Sequence, residues 1–156
     1  SMPISRSIQG KAFSWPIATS TSSHGIKTSG SPDGTRLRLP SLYSALTFSK
    51  AATLLAVTPH MHVRGKAFKY EVVTKDGKRE TILNVPKYDF NWQATYDFTT
   101  PVQVPAGAKL ECTAIFDNSA KNPFNPDPKR TITFGDMTTD EMMIGFALYH
   151  DTKEKK

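Results

Sequence analysis

The sequence predicts an all-β protein, an antiparallel β-sandwich. Short apolar or alternating runs recur about every ten residues, turn-forming residues lie between them, and no stretch has the periodicity of a helix. The 156 residues are enough for one domain with a substantial core. No apolar run reaches the roughly 18–20 residues that cross a bilayer, so we expect no membrane span.

Residues 1–50 differ in composition from the rest of the chain. They contain twelve Ser and five Thr, and six basic side chains against one acidic side chain. Such a composition is typical of loops. We therefore predict a basic segment at 1–50 that is a linker or supplies partial edge strands, a sandwich domain at 51–151, and a frayed tail at 152–156. The basic residues are thinly spread and carry no base-reading motif, so we expect no nucleic-acid partner.

The sandwich is predicted to begin with one strand and a hairpin. Ala52–Val57 is a short apolar run that leads into a pair of histidines. Ala67–Thr74 alternates and is rich in β-branched and aromatic residues, and Glu80–Val85 is the return strand. Asp76-Gly77 between these two runs is a strong hairpin signal.

Four further strands are predicted, at Trp92–Phe98, Lys109–Phe116, Thr131–Phe134 and Met142–Tyr149. The first of them is expected to end before Pro101, with a turn at Val102–Gly107, and Trp92 is expected to pack in the core. Cys112 is the only cysteine, which excludes an intramolecular disulfide, and its alternating context favours a buried small hydrophobe.

The two histidines that follow the first of these strands, His60 and His62, are the candidate metal ligands. Residues i and i+2 of a strand point to one face about 6.5–7 Å apart, so two imidazoles can converge on one ion. A third ligand could come from Asp140-Glu141-Met142-Met143. Thioether sulfur would favour copper and carboxylate would favour zinc or iron, and the residues alone leave this choice open. The alternative is a histidine pair on a solvated face, with Arg64 and Lys66 keeping an edge strand soluble.

Several motifs occur in an order and spacing that resemble one family. They are His60-Met61-His62-Val63-Arg64-Gly65-Lys66, Asn91-Trp92-Gln93, Pro105-Ala106-Gly107, Asp117-Asn118-Ser119 with Asn122-Pro123, and Gly135-Asp136-Met137-Thr138-Thr139-Asp140-Glu141-Met142. Over about 51–151 the chain is similar to the C-terminal domain of the copper type II, ascorbate-dependent monooxygenases. Peptidylglycine α-hydroxylating monooxygenase and dopamine β-monooxygenase are known members, and the motif sequences of this chain are closer to those of bacterial relatives. The resemblance implies a β-sandwich of the jelly-roll type.

The resemblance also implies a site and its chemistry. It implies one copper ion, cycling between Cu(I) and Cu(II), held by His60, His62 and Met142, which binds O₂ and hydroxylates a substrate. O₂ and an external reductant are the implied partners, and a periplasmic or secreted location is implied. Glu141 and Asp140 are expected either to orient a ligand or to cap a turn.

Departures from the family pattern bear on the substrate and the electron supply. The peptide-hydroxylating member has Arg, Asn and Tyr where this chain has Thr58, Ile144 and Phe146, so a glycine-extended peptide is not supported. The family's N-terminal domain carries a three-histidine copper that supplies the second electron, whereas residues 1–50 contain only His24. The resemblance therefore implies a partner that residues 1–50 do not provide, an N-terminal domain that supplies the second electron.

One further departure removes a disulfide. In the family, the cysteine that follows the methionine ligand forms a disulfide with a cysteine at the position of Cys112. This chain has Met143 in place of the first of these cysteines, so we expect Cys112 to be a free thiol.

Two classes of function remain open. The first is the O₂-activating, substrate-hydroxylating half of a monooxygenase, acting on an unknown small or peptide substrate. The second is a copper carrier, sensor or interaction module without catalysis.

Overall fold

The computed structural model describes residues 9–14, 41–132 and 134–152 of the chain. These residues form eight strands and no helix, so none of them forms a helix that could cross a membrane. The strands are β1 (Gln9–Ser14), β2 (Ser41–Thr47), β3 (Ala52–Met61), β4 (Gly65–Val73), β5 (Arg79–Val85), β6 (Tyr96–Val104), β7 (Lys109–Phe116) and β8 (Met143–Asp151).

The strands form two four-stranded sheets in which every neighbouring pair is antiparallel. The strand orders are β1-β8-β3-β6 and β2-β7-β4-β5. Both sheets contribute side chains to one buried core, among them Leu54 and Met61 from the first sheet and Phe68 and Leu110 from the second. The predicted antiparallel β-sandwich is confirmed.

Two edge strands, β1 and β2, come from residues 1–50. β1 pairs with β8 and β2 pairs with β7, each along its whole length. The sandwich therefore starts ahead of Ala51. The Ser-rich stretch around His24 and the charged tail at 153–156 lie outside the described residues.

The β4–β5 hairpin turns where the sequence predicts it. Gly77 has a φ of 85°, a left-handed conformation that glycine adopts without steric cost. Its N–H donates to the carbonyl of Thr74 at 2.9 Å, and the N–H of Thr74 donates to the carbonyl of Lys78 at 3.0 Å. The hairpin prediction is confirmed.

The strand predicted at Trp92–Phe98 is displaced toward the C-terminus. β6 begins at Tyr96 and continues through Pro101 to Val104, so the turn predicted at Val102–Gly107 starts later, at Pro105, whose carbonyl accepts the N–H of Ala108 at 3.1 Å. Proline is tolerated there because β6 is an edge strand whose pairing with β3 is interrupted by an irregularity at this point. Trp92 lies in the preceding turn with 76% of its surface exposed, so its prediction as a core residue is wrong.

The strand predicted at Thr131–Phe134 lies partly outside the described residues, which do not include Thr133. Of the residues described there, Phe134 forms an isolated parallel bridge with Glu141. Cys112 is fully buried on β7 and is a free thiol, so its predicted role as a buried small residue is confirmed. Burial raises the pKa of this thiol well above its ordinary value.

Candidate metal centre

His60 is the penultimate residue of β3, and His62 directly follows the end of this strand. Their imidazole centroids are 5.3 Å apart and their ring planes are nearly perpendicular, at 86°. Met61 between them points the other way and is fully buried in the core. The alternation of the strand therefore turns both imidazoles to one side, as the sequence predicts.

Met142 directly precedes β8 and approaches the same place. The antiparallel register pairs His60 with Ile144 and Met61 with Met143. If this register is continued by one residue, His62 lies opposite Met142. Residues opposite each other in such a ladder share a face, with Cβ atoms about 4.5–5.5 Å apart. Only 8% of Met142 is exposed, whereas Met143 packs in the core on the other face. The fold thus brings the three predicted ligands to one end of the β3–β8 pair.

Gln93 fixes the orientation of the His60 ring. Its side-chain oxygen lies 2.5 Å from Nδ1 of His60, and its amide nitrogen donates to the carbonyl of Phe90 at 2.9 Å. An acceptor at Nδ1 keeps the proton on that nitrogen and leaves the lone pair on Nε2 available to a metal. The sequence shows Gln93 only as part of a motif and gives no sign of this contact.

His62 is enclosed, with 5% of its surface exposed. Its Nδ1 is buried and has no hydrogen-bond partner among the described residues. Burial lowers the pKa of His62 and the neighbouring His60 lowers it further, which outweighs the opposing effect of the backbone groups of Asp140 and Met137 beside the ring, so the neutral ring is favoured. A neutral imidazole with an unpartnered buried nitrogen has the state that a metal ligand requires.

Glu141 connects the two candidate ligands that lie on different strands. One carboxylate oxygen accepts the backbone N–H of His62 at 2.5 Å and that of Met142 at 3.2 Å. The other accepts the N–H of Arg64 at 3.0 Å. Burial raises the pKa of Glu141 to about 7, against the opposing effect of these three N–H groups and the Arg64 charge. The carboxylate therefore holds the backbones of His62 and Met142 together.

Arg64 is fully buried, so the prediction that it keeps an edge strand soluble is wrong. Its Nε donates to Asn118 Oδ1 at 2.9 Å, and its Nη1 donates to the carbonyl of Thr139 at 2.9 Å. Asp140, the other expected orienting group, accepts instead from Arg130 at 2.8 Å. Arg64 thus anchors the loops that lead into the Met142 side of the site.

Two further residues, Tyr88 and Asn122, hold the backbone of the segment 60–66, which we call the histidine segment. The hydroxyl of Tyr88 donates to the carbonyl of Met61 at 2.8 Å and accepts its N–H at 2.9 Å. Asn122 donates to the carbonyl of Val63 at 3.3 Å. The sequence analysis missed Tyr88 entirely, because a single tyrosine after a strand carries no signal of such a contact.

The donor set of this site fits copper. No group of three or more His, Cys, Asp and Glu side chains is placed to hold a metal ion in the described part of the chain. Met142, which comes next to His62 when the β3–β8 register is continued, carries a thioether sulfur that would be the third donor. Two imidazoles and a thioether form a soft set that selects copper over zinc or calcium.

A family model described as copper type II ascorbate-dependent monooxygenase, C-terminal domain, matches residues 43–156. No curated protein matches the chain. Among solved structures, the chain is similar to the family 32 CBM from C. perfringens NanJ, determined in complex with galactose. The two are 10% identical, with a TM-score of 0.33, and the match covers 92% of this chain and 93% of that one.

Proposed function

Because the chain belongs to the family of copper type II ascorbate-dependent monooxygenase C-terminal domains, we propose that it is the O₂-activating, substrate-hydroxylating half of such an enzyme. His60, His62 and Met142 hold its one copper ion. The observation that carries this proposal is the buried, unpartnered Nδ1 of His62, whose backbone N–H shares one oxygen of Glu141 with the backbone N–H of Met142.

The reaction of this proposal inserts one oxygen atom of O₂ into a substrate C–H bond and reduces the other to water. It consumes two electrons and two protons, which a reductant such as ascorbate supplies. Copper, when bound, supplies the one-electron redox chemistry and the open position for O₂. The two imidazoles and the thioether would suit Cu(I).

The protein's own contribution is to position and shield the site. Gln93 keeps the proton of His60 on Nδ1, away from the ion. Glu141 fixes the spacing of His62 and Met142 through their backbones. Phe90 packs edge-on against His62 with ring centroids 6.0 Å apart, which keeps water from that side of the imidazole. The more exposed His60 side is left for O₂ and substrate.

The side chains beside the site support a substrate that presents an apolar group there. Ile144 lies opposite His60 and Phe146 lies opposite Thr58 in the β3–β8 ladder. Phe146 is exposed. A carboxylate would find no cationic partner among Thr58, Ile144 and Phe146, in agreement with the departure from the peptide-hydroxylating pattern. The substrate is a small molecule or a peptide that meets the site through C–H bonds.

The remaining parts of the proposal rest on the family resemblance. A separate domain or protein supplies the second electron, and the protein works in the periplasm or outside the cell. The strand orders β1-β8-β3-β6 and β2-β7-β4-β5 support a jelly-roll description of the sandwich.

Copper stoichiometry and O₂ consumption test this function. We expect the full chain to bind one copper ion and, with ascorbate, to consume O₂ faster than the same concentration of free copper. His60→Ala combined with His62→Ala should abolish both properties. Stoichiometric copper binding without O₂ consumption above free copper would instead support a copper carrier or sensor. Unchanged copper binding in the double variant would overturn the assigned site.

A further inference from the structure

A cavity of about 660 Å³ opens beside the histidine segment. The turn at 86–91 forms one wall and the loop at 121–124 forms another, while Val63 and Lys66 contribute from the histidine segment. Small-molecule sites have volumes of about 300–1,000 Å³. The cavity is therefore large enough for a small organic molecule.

The lining of this cavity carries more cationic than anionic groups. Three lysines, Lys66, Lys87 and Lys121, face two aspartates, Asp89 and Asp117. The excess charge favours an anionic occupant.

Both aspartates are already engaged by the protein. Asp117 accepts the N–H of Ser119 at 3.0 Å and pairs with Lys66 at 3.6 Å. Burial tends to raise its pKa, but the Ser119 hydrogen bonds and the Lys66 charge outweigh burial and lower it, so Asp117 stays ionised. Asp89 accepts the backbone and side-chain N–H groups of Asn91 at 2.9 and 3.3 Å.

The other two lysines keep their charge uncompensated. Within the described residues, neither Lys87 nor Lys121 forms an ion pair. Both are exposed and line the cavity from different segments of the chain, so their ammonium groups can reach the same ligand in it. Two mobile cations that converge on one cavity can bind a carboxylate.

Aromatic rings supply the apolar part of the lining. Phe90 and Tyr88 line the cavity on the side of the metal centre, and Phe124 lines it from the loop. Phe124 is 62% exposed, although a large apolar side chain normally packs. Such rings offer faces on which a planar ligand can stack.

We propose that this cavity binds a small organic anion, a carboxylate or comparable anion with a planar apolar body. Lys87 and Lys121 bind the charged group, and Phe124 and Phe90 contact the planar body. Since Phe90 also contacts His62, the bound anion lies one aromatic ring away from the candidate copper ligand. The inference concerns binding to the polypeptide and does not depend on copper.

Titration calorimetry of the full chain with benzoate tests this inference, with benzamide as a neutral molecule of the same shape. We expect benzoate to bind about tenfold more tightly than benzamide and to weaken as salt is added. The variant Lys87→Gln/Lys121→Gln should bind benzoate about threefold to tenfold more weakly than the unmodified chain. Phe124→Ala should weaken both compounds, because it removes the stacking surface.

The matched control is Lys75→Gln/Lys78→Gln, which removes the same charge from the exposed turn at the far end of β4, about 26 Å from Lys66 along the strand. This variant should bind benzoate as the unmodified chain does. The inference is overturned if benzoate shows no saturable binding, if benzamide binds equally well, or if the two double variants lose the same affinity. Thermal unfolding of each variant verifies that the fold is retained, and none of these outcomes bears on copper binding.

Discussion

At the scale of single residues, the carboxylate of Glu141 joins parts of the site that are distant in sequence. It accepts N–H groups from His62, which is 79 positions away, and from Arg64 and Met142. Each buried N–H would cost free energy if its acceptor were removed. In the proposed site Glu141 is therefore a positioning residue, which would act on bound copper through the backbones of His62 and Met142.

Replacing this carboxylate by an amide tests the positioning role. Glu141→Gln leaves one acceptor oxygen where the backbone needs two, and turns an N–H₂ group toward at least one buried donor. We expect the Cu(I) affinity to fall about 10- to 100-fold, as for other groups that orient metal ligands, with a loss of stability of about 1–3 kcal/mol. Competition with a Cu(I) chelator measures the first quantity and urea unfolding the second.

The neighbouring carboxylate provides the control. Asp140→Asn makes the same chemical change at a side chain that pairs with Arg130 near the surface. It should leave the Cu(I) affinity within about threefold, because a surface ion pair contributes little. Equal losses in Glu141→Gln and Asp140→Asn would show that Glu141 has no special role.

At the scale of elements, the site depends on how the end of β3 packs against the turn that contains Tyr88. A Cβ added at Gly65 would lie 2.8 Å from Cβ of Met61 and 2.9 Å from Cδ1 of Tyr88. Met61 lies between the two histidines, and the hydroxyl of Tyr88 bonds its backbone. Glycine at position 65 therefore permits the close approach that holds the histidine segment in place.

Gly65→Ala should consequently affect both stability and copper binding. We expect a loss of about 1–3 kcal/mol from overpacking and a measurable drop in Cu(I) affinity, because Met61 must move. The control is Gly77→Ala in the β4–β5 turn, where no atom lies within 4 Å but φ is +85°. It should cost about 1–2 kcal/mol through backbone strain and leave Cu(I) affinity unchanged. A Gly65→Ala protein with unchanged copper affinity would contradict the proposed role of this packing.

The strands could be predicted where side-chain alternation follows burial on a central strand. The strands predicted at Ala67–Thr74 and Lys109–Phe116 agree with β4 and β7 within two residues, because apolar side chains alternate with polar ones along them as the buried and exposed faces require. The strand around Pro101 was misplaced, since an edge strand with an interrupted ladder does not need the proline N–H. The prediction of Trp92 as a core residue is wrong because Trp92 closes a turn, in which its N–H donates to the carbonyl of Asp89 at 3.0 Å, and this turn exposes its side chain to solvent.

The site was predictable only in part for a related reason. His60 and His62 are visible as a spacing, and Met142 entered through family resemblance. Gln93 and Tyr88 act through tertiary hydrogen bonds, which no local pattern in the sequence encodes. The contacts of Glu141 likewise depend on the register between β3 and β8.

At the scale of the whole molecule, the candidate site connects strands from distant parts of the chain. A metal that bound His60, His62 and Met142 would cross-link β3 to the start of β8 only in the folded state. Binding to the native state alone raises stability by about 2.7 kcal/mol when free metal is one hundred times its Kd. The copper site is thus expected to stabilise the sandwich as a unit.

Thermal unfolding with and without Cu(I) measures this coupling. Saturating Cu(I) should raise the Tm by roughly 5–15 °C, and a Cu(I) chelator should reverse the increase. The His60→Ala/His62→Ala protein should show no increase. A similar rise in that variant would mean that copper binds elsewhere in the chain.

The central claim is that the sulfur of Met142 completes a copper site with His60 and His62. X-ray absorption spectroscopy of the Cu(I)-loaded full chain tests it most directly, with Met137→Ala as the control because Met137 is 67% exposed and five positions from Met142. We predict one sulfur scatterer at copper, retained in Met137→Ala and lost in Met142→Ala. A spectrum without sulfur, or one that Met142→Ala leaves unchanged, would contradict the account.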